Sequence, residues 1–187
     1  MLVADLPRTQ ESQALIERVQ DLQDERTGKF LLDKRDVCLA QLDQGLKITS
    51  TIRGISVLWM LDARPRYPLR FIRELETIEG MIQLLESQNW VSAWMSSCDA
   101  SSIYDLVRLE GHATPEWLAA NFGWLDQHQD PETGYWGPNM GSKIWQGFGS
   151  TFHILIPYYI EKRPINYVER ILETTLALQS NPDPFRQ

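Results

Sequence analysis

Three short signatures recur along the chain: Ser50-Thr51-Ile52-Arg53, Ser101-Ser102-Ile103-Tyr104 and Ser150-Thr151-Phe152-His153. Their first residues lie 51 and 49 positions apart. In each, a hydroxyl pair and one apolar residue precede a side chain capable of chemistry. His153 and Tyr104 can give or take protons, and Arg53 can anchor an anion or a carbonyl. A further cluster, Ser97-Cys98-Asp99, offers a thiol beside a carboxyl. With Asp105 and Glu110, Asp99 is one of three acidic residues in that stretch. Each group also has an ordinary structural duty. Ser and Thr near a helix start are commonly caps, as Asp99 would be. Cys98 can serve as a small buried hydrophobe, and His153 among Phe152, Ile154 and Leu155 as a hydrogen-bonded core residue.

Familiar nucleotide and nucleophile motifs are missing. The sequence has no G-x-G-x-x-G, no phosphate-loop lysine motif and no G-x-S-x-G elbow. It does have aromatic residues gathered around glycines. Tyr135, Trp136, Trp145 and Phe148 lie in or beside the stretch that holds Gly141, Gly147 and Gly149. Such a mouth suits a prenyl, steroid or sugar-ring ligand, so Arg53, Trp136, Trp145 and Phe148 are the candidate substrate-binding residues.

Helices must position these groups. Apolar residues at spacings of three and four predict helices over about Thr9–Leu22, Gly45–Leu61, Leu69–Ser87, Ala100–Glu110, Pro115 onward, Gly147–Ile160 and Ile165–Gln179. Arg64-Pro65-Arg66-Tyr67-Pro68 and Arg163-Pro164 are stops, Gly111 ends a helix, and Thr114-Pro115-Glu116 starts one. No segment alternates with period two between turn signals, so no sheet is expected. The expected class is all-α, with about seven helices arranged as hairpins in a single domain over residues 1–187.

The hairpins repeat. Gln23 followed by Asp24-Glu-Arg-Thr-Gly28-Lys-Phe30 matches Gln129 followed by Asp130-Pro-Glu-Thr-Gly134-Tyr-Trp136. Leu61-Asp-Ala-Arg-Pro65 matches Ile160-Glu-Lys-Arg-Pro164 in the same order, and Gln179 to Phe185 is a third copy without its glycine. A glutamine, a few residues and then Gly-x-Trp resembles the QW motif of squalene and terpene cyclases and their protein prenyltransferase relatives, the α/α toroids. The Asp-Pro-Glu-Thr-Gly-aromatic run also resembles loops of α/α-barrel glycosidases. The resemblance covers most of the chain and implies about half of an α/α toroid. It implies that inner-helix N-termini gather at one mouth of a cavity, where Arg53, Tyr104 and His153 would occupy equivalent places. It implies a catalytic set of His153, Tyr104 and Asp99. Resemblance to the prenyltransferases raises a zinc set of Cys98, Asp99 and His153, although here Cys and Asp are adjacent and in reversed order. Neither D-x-D-D nor D-D-x-x-D occurs, so standard terpene cyclisation is not expected. A closed toroid of six hairpins needs twelve helices, so a homodimer or a different partner protein would complete it.

Composition narrows the classes further. A net charge of −7 argues against binding nucleic acid or an anionic membrane. No apolar run approaches the ~20 residues that span a bilayer. Two lone cysteines, Cys38 and Cys98, and an N-terminus unlike a secretory signal point to the cytoplasm. No cofactor is named by the sequence. The expectation is a cyclase-like enzyme acting on a small, largely apolar organic substrate (prenyl, terpenoid or polyketide-like). The alternatives are a non-catalytic helical-repeat module that binds a partner, and a carbohydrate-active enzyme.

Overall fold

Helices dominate because amphipathic stretches are separated by capping residues and turn residues, as the computed structural model shows for residues 9–31 and 48–180, with side chains from residue 51 in the second stretch. Cys38, the start of the second predicted helix, the Ser50 hydroxyl and the third glutamine–aromatic copy lie outside the described residues. Two compact units divide the chain, Met1–Arg73 and Glu74–Gln187. Among the described residues there are seven α-helices, and the only β pairing is two isolated bridges.

The first unit holds α1 (Gln10–Gln20) and α2 (Ile48–Met60). Thr9 caps α1 by accepting the Ser12 amide at 3.1 Å, and α1 buries Ile16 and Val19. After α2 the two prolines break the chain as expected. The following helix does not begin at Leu69, however. A 3-10 turn spans Arg70–Ile72, and α3 (Ile78–Ser87) starts only in the second unit. The reason is local. The Thr77 hydroxyl takes the Gly80 amide at 3.0 Å, which fixes the helix start there.

The second unit continues with α4 (Ala93–Leu109), α5 (Pro115–Gln127), α6 (Ile144–Ile160) and α7 (Val168–Gln179). Thr114 caps α5, with Pro115 in its first turn. Two of these helices start earlier than the sequence suggested. α4 gains seven residues at its front, so Asp99 is not an N-cap and does not precede the helix. Its serines sit inside the helix because their hydroxyls find backbone acceptors, Ser96 on the Asn89 carbonyl at 2.9 Å and Ser97 on the Trp94 carbonyl at 2.8 Å. The Gln146 side chain on α6 accepts the Trp94 amide at 3.0 Å and so satisfies an N-terminal donor of α4.

Three helices end alike. Asp62, Gly111 and Lys162 adopt left-handed backbone (φ 49, 79 and 52°). The next amides reach back to Leu58, Val107 and Tyr158 carbonyls at 2.8, 3.0 and 2.9 Å. That is the Schellman arrangement. The two glutamine loops also share their bonds. Gln23 donates to the Gly28 and Tyr67 carbonyls, both at 2.7 Å, and Gln129 to the Gly134 and Asn166 carbonyls, both at 2.8 Å. The Phe30 and Trp136 amides point at the Thr51 and Thr151 hydroxyls. Within each unit, then, the glutamine ties the end of one helix to the chain that leaves the next.

No helix among the described residues is long and apolar enough to cross a membrane.

Candidate functional site

The groups with chemistry sit on α4 and α6, which lie side by side and run parallel. Trp94 meets Gln146, Ser97 meets His153, and Tyr104 meets Glu161, so the partner moves toward the end of α6 as the residue moves toward the end of α4. α5 covers one side of this two-helix layer, since Phe122 packs against Tyr104 (6.1 Å between ring centres) and against Tyr158 (4.8 Å). Ala100, Ile103 and Val107 are buried along α4, and Ile154 and Tyr158 along α6. Successive residues rotate by about 100° around a helix. The face opposite the core is therefore Met95, Cys98, Ser102 and Asp105 on α4, and Trp145, Phe152 and Ile156 on α6. Both faces look out on the same side. Met95, Phe152 and Ile156 are 56, 65 and 41% exposed.

Where the helices touch, His153 meets α4. Its Nδ1 lies 3.1 Å from Ser97 Oγ. Its ring meets Trp94 edge-on at 6.1 Å and Phe152 at 5.6 Å. Trp94 itself lies against Gly149, where a Cβ would come within 2.3 Å of its ring. Cys98 Sγ is 3.3 Å from Nδ1 and 3.5 Å from Nε2. A sulfur nearly equidistant from both nitrogens must lie above the ring, because in the ring plane it would overlap ring carbon. Burial lowers the pKa of His153, partly offset by the Trp94 carbonyl, and so favours the neutral imidazole. Burial raises Cys98, aided by the charge of Asp99, so the thiol stays protonated.

Burial also raises Asp99, and it pushes Asp105 up to about 6 against the pull of Arg108. Asp105 is an acidic residue that the sequence reading named without giving it a role. Its residue type was visible, and its place three residues after Ser102 put it on the same face. Nothing local in the sequence marked its desolvation.

The remaining candidates are placed differently. Tyr104 is 1% exposed. Its hydroxyl donates to Glu161 at 2.5 Å, and Arg108 reaches the same carboxylate oxygen at 2.9 Å. Burial and the Glu161 bond push the phenol pKa upward, while the Tyr104 hydroxyl and Arg108 hold Glu161 below the ordinary carboxylate range. Tyr104 and His153 are not brought together, because their partners on the facing helix differ. The cause is register. Counted back from the left-handed helix ends, Arg53 stands nine residues before Asp62 and His153 nine before Lys162, but Tyr104 only seven before Gly111. Two residues rotate a side chain by about 200°. By that count the α4 counterpart of Arg53 and His153 is Ser102. The hydroxyl signatures also lie deep in α4 and α6 rather than at their N-termini.

Arg53 is exposed on α2, in the first unit. Trp136 is fully buried, and its indole donates to the Leu125 carbonyl at 2.7 Å, a core role. Trp145 is half-buried near the start of α6. Phe148 is 45% exposed and packs edge-on against Tyr135. Among the described residues no three His, Cys, Asp or Glu side chains converge on a possible metal position. Cys98 and His153 do meet, but Asp99 is turned away from that pair by one residue's rotation of the helix. No protein-family model matches the chain, and no curated protein or solved structure matches it significantly.

Proposed function

We propose that the chain is an α/α-hairpin enzyme of the toroid kind, whose bare α4–α6 face binds a small, largely apolar organic molecule and performs acid/base chemistry on it. One observation carries the reading. Exposed Phe152 and Ile156 share a side of the helix layer with Asp105, whose carboxyl is held near 6 by burial. An acid whose pKa lies near the working pH can both give and take a proton. Ser102 and Cys98 supply weak polar contacts beside it, and His153 a neutral base at the helix seam. The ligand class is prenyl, terpenoid or polyketide-like, because Met95, Phe152 and Ile156 give this face exposed apolar surface.

The test is a binding screen on the purified protein, read by tryptophan fluorescence and native mass spectrometry. Farnesol, a sterol and a polycyclic phenol are the probes, with a disaccharide as the contrast. A 1:1 complex with one of the apolar probes is expected, weakened at least tenfold by Phe152→Glu. Binding of the disaccharide alone would instead favour the carbohydrate reading, and no complex with any probe removes the proposal. Once a turned-over substrate is found, Asp105→Asn is expected to cost ~10²–10⁴ in rate.

A second reading, the partner-binding module, is favoured by a different surface. Leu172 and Leu176 on α7 are 59 and 62% exposed, and Tyr159 on α6 is 85% exposed. On α4 the corresponding side is covered by α6. The occupant that fits best is a second copy of this chain.

A further inference from the structure

His153 is held by an arrangement that fixes which of its nitrogens carries the proton. Ser97 is fully buried. Its hydroxyl donates to the Trp94 carbonyl at 2.8 Å. A hydroxyl has one proton, so once that proton is committed to Trp94 the oxygen can only accept. Its remaining partner is His153 Nδ1 at 3.1 Å. The Trp94 carbonyl also acts on the same imidazole. With the Ser97 proton on the Trp94 carbonyl and the Cys98 sulfur out of the ring plane, the in-plane neighbour of Nδ1 is an acceptor, which a protonated Nδ1 satisfies. The lone pair is then on Nε2. The Cys98 sulfur above the ring does not reach that in-plane lone pair. The imidazole then carries its acceptor on the edge away from Ser97, and the Phe152 ring centre lies 5.6 Å from its own.

We infer that Ser97 is a positioning residue that locks His153 as the Nδ1–H tautomer, so that the polar feature this wall recognises is a hydrogen-bond donor, a hydroxyl or N–H on an otherwise apolar molecule. The tautomer stands on the geometry alone, whereas the ligand clause rests on the function proposed above.

The experiment is long-range nitrogen–proton NMR of the full-length, nitrogen-15-labelled protein near neutral pH. His153→Gln identifies the His153 signals among those of His112 and His128. Wild type is expected to show a protonated Nδ1 and a pyridine-type Nε2. Ser97→Ala is expected to move both shifts toward an averaged mixture of tautomers. A protonated Nε2 in wild type overturns the inference, and so does a Ser97→Ala spectrum with an unchanged His153 signature. If Ser97→Ala does not fold, the wild-type spectrum decides.

The ligand clause is read by adding farnesol and, separately, its methyl ether. The alcohol is expected to shift the Nε2 signal and the ether to leave it in place. Equal shifts with both overturn the donor assignment while leaving the tautomer standing. If fluorescence shows that neither binds, the ligand clause falls, the proposed function is decided by the sterol and phenol probes, and the tautomer is decided by the first spectra.

Discussion

At the scale of single residues, Asp105 makes the sharpest prediction because its burial is linked to stability. Its carboxyl is raised from an ordinary 3.8 to about 6. The folded state therefore holds the proton more tightly than the unfolded one. Below about pH 4 both states are protonated and nothing is lost. As pH rises from 4 to 6 the unfolded chain ionises first, and folding becomes less favourable by roughly 3 kcal/mol. Asp105→Asn removes that term. The variant is expected to match wild type in urea unfolding near pH 4 and to exceed it by up to this amount near pH 7. A variant no more stable than wild type at pH 7 would show that Asp105 is solvated. The residue scale also shows what letters reveal and what they hide. The sequence exposed His153 and Cys98 as chemically capable, and the structure brings them into contact. It paired Tyr104 with His153 through the hydroxyl signatures. Those signatures do not keep register with the helix ends, so the pairing by letter is not a pairing by face.

At the scale of elements, the loops and helix ends were the most legible features, because their chemistry is local. Gln-Asp-x-x-Thr-Gly-x-aromatic needs no distant contact to form its turn. Asp130 accepts from Thr133 at 2.6 Å and from the Glu132 amide at 3.1 Å, just as Asp24 accepts from Thr27. Helix starts were less legible, since Ser96 and Ser97 find backbone acceptors that only the folded chain supplies. The glycines separate the two cases by experiment. Gly134 has φ +75°, and a Cβ there would lie 2.6 Å from the Ile171 amide nitrogen and 2.9 Å from the Tyr167 carbonyl oxygen. Gly111 has φ +79° but nothing within 4 Å of that position. Gly111→Ala is expected to cost only the left-handed strain, about 1–2 kcal/mol. Gly134→Ala must also push α7 off the loop, so its loss should be clearly larger. Equal losses in thermal or urea unfolding would mean that α7 is not held against this loop.

At the scale of the whole molecule, the all-helical class was legible from periodicity, because a helix needs only its own spacing and caps. Where the chain divides was not. The sequence reads as one domain in which Arg64–Pro68 only stops a helix, yet the second compact unit begins at Glu74, after a 3-10 turn that no simple pattern announces. The other feature hidden at this scale is the exposed apolar side of α7. Val168, Leu172 and Leu176 recur every fourth residue along α7 and are 40, 59 and 62% exposed, and no residue of that helix is buried. Phe148, Phe152 and Tyr159 add aromatic surface on α6. An apolar face this extensive is the surface that the partner-binding reading proposed above would cover. Fully covering an exposed leucine stabilises by ~1.5–3 kcal/mol, so two such residues on each of two copies contribute an amount of the same order as the cost of association, which makes the dimer weak and concentration-dependent. The protein is expected to sediment as a dimer at high concentration and to dissociate on dilution. Leu172→Lys with Leu176→Lys should keep the helical spectrum and abolish the dimer. A wild-type protein that stays monomeric at every concentration would leave this face for a different partner, and the second copy would no longer be its occupant.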